Sequence, residues 1–263
     1  MPQFTSHKPG TFCWPELVTT DQKGAVAFYR EVFDWDVDDR PIGEGATYSM
    51  FKTKGESVGA AYGMDEQMRG RGVPPHWGSY VSVVSADEAA KRAKELGATV
   101  LMEPFDVMDA GRMAVLRDPT GAVFSVWQPA KHFGAGLLGE PGSLCWTELA
   151  TSDTNAAEKF YTSLFGWTAK TTPAVAPGVD YIEISNQGAP QAGMMPLMPQ
   201  MGDAPSHWMP YFAVSDCDAT VSKVQGLGGR VYMPPTEIPK VGRFAMVADP
   251  QGAGFAVITL APR

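Results

Sequence analysis

The sequence predicts an α+β protein of two tandem domains, each assembled from two βαβββ units. Three observations predict this: a whole-domain internal repeat, apolar patterning that switches between strand and helix periods, and a Pro/Gly turn before the last strand of each repeat. Residues 10–35 align on residues 142–167 without a gap. Identical pairs are Gly10/Gly142, Cys13/Cys145, Trp14/Trp146, Glu16/Glu148, Leu17/Leu149, Thr19/Thr151, Asp21/Asp153, Ala25/Ala157, Phe28/Phe160, Tyr29/Tyr161, Phe33/Phe165 and Trp35/Trp167, which is 12 of 26 positions. Unrelated segments of ordinary composition share roughly one or two. With one residue lost, His76-Trp77 then matches His207-Trp208, Tyr80 matches Tyr211, Gly111-Arg112 matches Gly242-Arg243, and Asp118-Pro119-x-Gly121 matches Asp249-Pro250-x-Gly252. The expected domains are residues 1–133 and 140–263, joined near 131–141, where three glycines and a proline suit a linker.

Residues 12–19, with β-branched and aromatic side chains, read as the first strand. Asp21 stands where a helix N-cap belongs, and Ala25, Phe28, Tyr29, Val32 and Phe33 follow at helical spacing. Asp153, Ala157, Phe160, Tyr161, Leu164 and Phe165 repeat the pattern. Strands are expected near 36–41, 46–53 and 57–63, which completes one βαβββ unit. The second unit opens with a strand from Trp77 to Val84. A helix follows on the stripe Ala86, Ala89, Ala90, Ala93 and Leu96, closed by Gly97. Strands near 98–103, 112–117 and 122–128 end the domain, the last two joined through Asp118-Pro119-Thr120-Gly121.

Of the 263 residues 44% are apolar and 19% charged, the balance of a folded domain with a core. The net charge is −8, with no Lys/Arg-rich run, so a nucleic-acid partner is not expected. No apolar leader opens the chain and no stretch is long enough to span a membrane, so the expected location is the cytoplasm. Cys13, Cys145 and Cys217 form no CxxC pair and read as small buried apolar residues rather than a disulfide or zinc framework. No P-loop, GxSxG or dinucleotide fingerprint is present.

The paired βαβββ units, the D-x-x-x-A-x-x-F-Y stretches Asp21–Tyr29 and Asp153–Tyr161, and the DP-x-G turns at Asp118–Gly121 and Asp249–Gly252 resemble the glyoxalase/bleomycin-resistance/dioxygenase family, the vicinal-oxygen-chelate fold. The chain resembles more closely still the tandem two-domain actinobacterial members, some named as antibiotic-pathway hydroxylases and others as glyoxalase-like antigens. Gly10–Leu17, His76–Tyr80 and Gly111–Val115 carry that likeness. The resemblance implies a mixed sheet curled around a cleft in each domain. In metal-dependent members a divalent ion sits there on a first-strand His, a fifth-strand His and a Glu near the end of the last strand. Carried over position by position, these fall on Trp14, Gly78 and Ser125, and on Trp146, Met209 and Ala256. Indole, glycine and alanine offer no lone pair of the required kind. No metal or other cofactor is therefore expected, a divalent metal displaced onto Glu16 and His76 being the disfavoured alternative.

Strand alternation places Trp14 and Glu16 on one face, taken as the cleft, and Cys13 and Leu17 on the other, under the helix. A carboxylate beside tryptophan there gains a raised pKa, so Glu16 and Glu148 are the candidate acids or bases. The competing expectation is a structural partner, an Arg from a neighbouring strand. His76 and His207 are candidates for the cleft rim or for fastening the loop before their strands. Arg112 and Arg243 are candidates for holding an anionic group, against internal ion pairs. Trp14, Trp77, Trp127, Tyr48, Met50 and Met113 are candidates for lining the cleft of the first domain, and equally candidates for its core. The expected function is binding of a small organic, aromatic molecule without a metal. A lyase, dioxygenase or hydroxylase-like enzyme using Glu16 or Glu148 with a displaced metal is the alternative, and a partner protein that has lost ligand binding a third. An oligomer is compatible with the sequence.

Overall fold

The computed structural model describes residues 3–43, 45–173 and 180–262, so the outermost residues of the two expected domains (1, 2 and 263) lie outside it. The first repeat runs β1 (Phe12–Thr19), α1 (Gln22–Phe33), β2 (Asp36–Gly43), β3 (Ala46–Thr53), β4 (Glu56–Gly63), α2 (Glu66–Gly70), β5 (His76–Ser82), α3 (Ala86–Glu95), β6 (Thr99–Val107), β7 (Gly111–Arg117) and β8 (Val123–Pro129). The second runs β9 (Leu144–Thr151), α4 (Thr154–Phe165), β10 (Thr168–Pro173), β11 (Asp180–Asn186), β12 (Ala189–Pro196), β13 (His207–Ala213), α5 (Cys217–Gly226), β14 (Arg230–Ile238), β15 (Gly242–Ala248) and β16 (Gly254–Leu260). Apart from the short α2 and a 3₁₀ turn at Pro199–Met201, this is the expected βαβββ unit four times.

Local chemistry explains the helix ends. Asp21 accepts from Gly24 N at 3.0 Å and Asp153 from Ala156 N at 3.0 Å, each satisfying one orphan donor of the first turn. The stripe Ala25, Phe28, Tyr29, Val32, Phe33 is buried as its spacing demands.

Each repeat forms one eight-stranded mixed sheet, ordered β2-β3-β4-β1-β5-β8-β7-β6 and β10-β11-β12-β9-β13-β16-β15-β14. β1 lies at the centre, parallel to β4 and antiparallel to β5. The apolar cores do not respect the repeat boundary. One core joins Leu17, Phe28, Tyr29, Trp35 and Trp77 of the first repeat to Phe212, Val221, Phe255 and Val257 of the second. The other joins Val81, Phe124 and Val126 to Leu149, Phe160, Tyr161 and Trp208. α1 packs on α5 and α3 on α4. Burying an aromatic or large aliphatic side chain contributes roughly 1.5–3 kcal/mol, so each repeat draws much of its stability from the other. Both sheets turn their helix sides inward, which leaves the opposite faces, those of Trp14 and Trp146, pointing outward.

Candidate functional site

Leu17 points into the helix-side core, so its neighbours Trp14 and Glu16 point to the other face of β1. Register sets what they meet. Trp14 pairs with Tyr80 and Glu16 with Gly78 on β5, while Glu16 pairs with Ala60 on β4. Tyr48 on β3 lies opposite Tyr62, one strand farther out. The result is a polar hub: Glu16 Oε2 accepts from Tyr48 Oη at 2.5 Å and Oε1 from Tyr80 Oη at 2.5 Å, while Trp14 Nε1 donates to Tyr48 Oη at 3.0 Å. The second repeat builds the same hub. Glu148 accepts from Tyr181 at 3.0 Å and from Tyr211 at 2.7 Å, and Trp146 Nε1 donates to Tyr181 at 3.0 Å.

Glu16 and Glu148 are each only 9% exposed. Burial pushes both carboxyls above the usual carboxylate range, and the two phenol hydrogen bonds offset part of that. The phenols of Tyr48, Tyr80 and Tyr211 are held well above the ordinary tyrosine value, by burial first and then by the adjacent carboxylate. Each hub is thus two protonated phenols and an indole around one acid with an elevated affinity for its proton. Such a group can accept a hydrogen bond or exchange a proton with a bound molecule. The arginine partner expected for these carboxylates is absent among the described residues. Tyrosine replaces it because the facing positions on β3 and β5 carry Tyr48 and Tyr80, whose hydroxyls reach the acid from both sides.

The other predicted residues divide. Tyr48, Met50, Met113 and Trp127 belong to the apolar cluster around Trp14 and Tyr80. Trp77 does not: it pairs with Leu17, faces the helix-side core and donates to Tyr29 Oη at 2.9 Å. Cys13 also departs from simple alternation. A bulge between Phe12 and Trp14 turns it toward the Trp14 cluster, its thiol reaching Tyr80 O at 3.5 Å. His76 and His207 sit at the loop entries, bonded through Nδ1 to Pro74 O and Pro205 O at 2.8 Å each, the loop-fastening role. Arg112 is forked onto Asp87 at 2.7 Å and 2.9 Å and bonded to Asp106 at 3.0 Å; Arg243 is forked onto Asp218 at 2.6 Å and 2.8 Å. Asp87 and Asp218 open α3 and α5, so both arginines serve the helix side and not the Trp/Glu face.

Trp14, Gly78 and Ser125 do share the hub's face, since Tyr80 pairs with Ser125, and Trp146, Met209 and Ala256 share the equivalent one. Their chemistry does not fit a divalent ion held in the family's manner. The Trp14 ring nitrogen is a donor already engaged by Tyr48, and Ser125 offers one neutral oxygen. Among the described residues no three His, Cys, Asp or Glu side chains are grouped to hold a metal.

Sequence reasoning missed Tyr80, Tyr181, Tyr211 and His132. The first and third carried a signal, being a repeat-identical pair at even spacing from His76 and His207. His132 lies in the junction, which the sequence presents as a linker. In the structure the junction straps the first hub: the His132 ring meets Trp14 edge-on at 4.6 Å, Trp127 Nε1 donates to His132 O at 2.8 Å, Ala135 N to Cys13 O at 2.8 Å, and Gly136 N to Ser57 O at 2.8 Å. Phe4 N donates to Gly136 O at 2.9 Å and His7 Nε2 lies 2.8 Å from Ala135 O, locking the strap from outside.

The model of the Glyoxalase/Bleomycin resistance protein/Dioxygenase superfamily matches the chain twice, over residues 11–126 and 143–257. Over 264 residues, 100% of both chains, the sequence is 41% identical to the Mycobacterium tuberculosis protein named "Putative glyoxylase CFP32". It is 35% identical over 268 residues, 97% of this chain and 95% of the other, to the anthracycline biosynthesis protein DnrV of Streptomyces peucetius. Among solved structures, the Mn(II)-bound glyoxalase from Novosphingobium aromaticivorans aligns with a TM-score of 0.65 at 15% identity, covering 96% of this chain and 82% of that one. The 2,3-dioxygenase LapB from Pseudomonas sp. KL28 aligns at 0.61 and 14%, covering 96% and 94%. At those identities the structures bear on fold alone.

Proposed function

The chain belongs to the glyoxalase/bleomycin resistance/dioxygenase superfamily, and from that premise we propose that it binds a small, flat organic molecule without a metal, through the outward Trp/Tyr/Glu face. One observation carries the proposal: on the face where the family's metal-dependent members hold their ion, each repeat presents an indole, two phenols and a buried acid with no cationic side chain bonded to it among the described residues. Indole and phenol rings suit planar apolar ligands, and a carboxylate at the centre selects those that donate a hydrogen bond. Holding an acid in such surroundings is costly, which argues for a use. The similarity to an anthracycline biosynthesis protein agrees with a polycyclic aromatic ligand.

The elevated proton affinity of Glu148 and Glu16 favours a second reading, in which the same acid exchanges a proton with the bound molecule in a lyase-like or hydroxylase-like reaction. Both readings are tested by titrating purified protein with 2,6-dihydroxyanthraquinone, a planar probe whose hydroxyls are free to donate, with and without a chelator. Saturable binding indifferent to the chelator is expected. Binding that needs a stoichiometric divalent ion, or no saturable binding by folded protein to this probe or to simpler phenols, overturns the proposal. Conversion of a probe, lost in Glu148→Gln, establishes the second reading.

A further inference from the structure

We infer that the two faces are not equivalent: the second repeat's face receives the ligand, and the first is held shut by the chain's own junction. The inference rests on the binding reading above but is decided by separate observations. Trp14 is 5% exposed and Cys13 and Met50 are 0% and 2% exposed, whereas their counterparts Trp146, Cys145 and Glu183 are all partly exposed. Met50 and Glu183 correspond by register, since Met50 pairs with Ala60 and Glu183 with Gly193, the residues beside Glu16 and Glu148. The cause is the strap. His132 stands against Trp14 where a flat ligand would stand, and its carbonyl takes the Trp127 indole proton. Burial lowers the His132 ring to about 4, so the imidazole is neutral at physiological pH and behaves as an apolar aromatic plug. Among the described residues no ring packs on Trp146 in the same way.

The second face also has the chemistry of a receiving surface. Trp146, Tyr181, Glu183 and Met209 are partly exposed around the buried Glu148. Ile182 and Ile184 are buried on the helix side, which places Tyr181 and Glu183 on the outer face. Met209 pairs with Glu148, so a thioether borders the acid where the first repeat has Gly78. An indole and a thioether offer stacking surface, and two carboxylates offer acceptors. The ligand class is a planar aromatic carrying a hydroxyl or amine donor.

Two measurements test the assignment. Hydroxyl-radical footprinting with peptide mass spectrometry needs no ligand. Trp146 should be modified several-fold faster than Trp14, and His132→Ala should raise the Trp14 rate toward that of Trp146. Equal rates in the wild type overturn the strap whatever binds. Calorimetric titration with 2,6-dihydroxyanthraquinone should give one site per chain, weakened ten-fold or more in Trp146→Ala and in Met209→Glu. The second variant alters a partly exposed residue and keeps the core intact. His132→Ala should add a second, weaker site. Two sites in the wild type, or one site that survives both second-repeat substitutions, overturns the assignment. Unequal footprints with no probe binding support the strap and place the failure on the binding reading alone.

Discussion

Tyr29 donates its hydroxyl to Asp249 Oδ2 at 3.1 Å across 220 residues of chain, and Tyr161 donates to Asp118 Oδ2 at 2.9 Å in the reciprocal bond. Both partners are the repeat's own signatures, the tyrosine of the first helix and the aspartate of the DP-x-G turn. The same aspartates cap their turns, Asp118 Oδ1 accepting from Ala122 N at 3.0 Å and Asp249 Oδ1 from Ala253 N at 2.9 Å. Each motif is therefore completed by the other copy. The repeat-identical Trp35 and Trp167 behave alike, donating to Gly142 O and Gly10 O at 2.8 Å each. The duplication is bound together by its own repeated residues, so half of the chain lacks the partners that half of its motifs require.

Tyr29→Phe is expected to destabilise the protein by about 1–3 kcal/mol. It removes one donor from Asp249 and strands the indole N–H of Trp77, which gives its proton to Tyr29 Oη at 2.9 Å. Urea unfolding should stay a single transition, because both cores cross the repeat boundary. Two separable transitions would contradict the shared cores.

Stability should also respond to pH through the hubs. The folded pKa of Glu16 and of Glu148 lies above the unfolded value of about 4.3. The native state then holds more protons than the unfolded state over that interval, so these two groups lower stability as pH rises from near 4 through their folded pKa values. Other carboxylates act the opposite way; Asp87 and Asp218, for example, are held low first by hydrogen bonds from Arg112 and Arg243. The comparison is therefore with Glu16→Gln and Glu148→Gln. The wild type should gain relative to each variant on acidification from pH 7 to pH 4, measured by denaturant midpoint. A gap independent of pH would show that these acids titrate normally.

α1 ends on Asp34 in the left-handed region at φ 57°, where α4 has Gly166 at φ 69°. A side chain is strained there and glycine is not. Asp34→Gly should raise stability by about 0.5–1 kcal/mol, read as a higher melting temperature. An unchanged or lower one would show that the Asp34 side chain contributes something glycine cannot.

Much of the fold was legible because strand and helix periods, N-caps at Asp21 and Asp153, and the DP-x-G turns are local signals that the repeat states twice. The hub was half legible. Alternation on β1 placed Trp14 and Glu16 together, but the acid's partners come from β3 and β5, and cross-strand register cannot be read from one strand. Between cleft and core, Trp77 falls to the core because it belongs to the odd parity of β5, with Leu17 opposite. Cys13 failed because a bulge resets parity at that residue. The strap was invisible because glycines and a proline read as linker whether a segment hangs free or lies against a sheet, and His132 has no copy in the repeat to draw attention to it.

Gly193 offers a test of the second hub that leaves its polar groups in place. A Cβ built there collides with the Tyr181 hydroxyl and comes within 3.1 Å of Trp146 Nε1. In the first repeat the corresponding residue is Ala60, and the Tyr48–Glu16 bond forms beside it at 2.5 Å. Tyr181 thus lies closer to its neighbouring strand than Tyr48 does, with its hydroxyl bonded between Trp146 Nε1 and Glu148 Oε2. Gly193→Ala must push the Tyr181 ring outward. The ring is a side-chain end on a partly exposed residue, so the fold should survive with a loss of about 1 kcal/mol, the net worth of one hydrogen bond. Tyr181 ionises well above the ordinary tyrosine range, by burial first and then by the charge of Glu148. Moving it away from both should lower its pKa, and alkaline spectrophotometric titration should show one additional tyrosine ionising early. Binding of 2,6-dihydroxyanthraquinone should weaken about ten-fold, roughly 1.4 kcal/mol, while Ala60→Gly leaves it alone. Equal effects of Gly193→Ala and Ala60→Gly on the probe would mean that the two faces share the ligand.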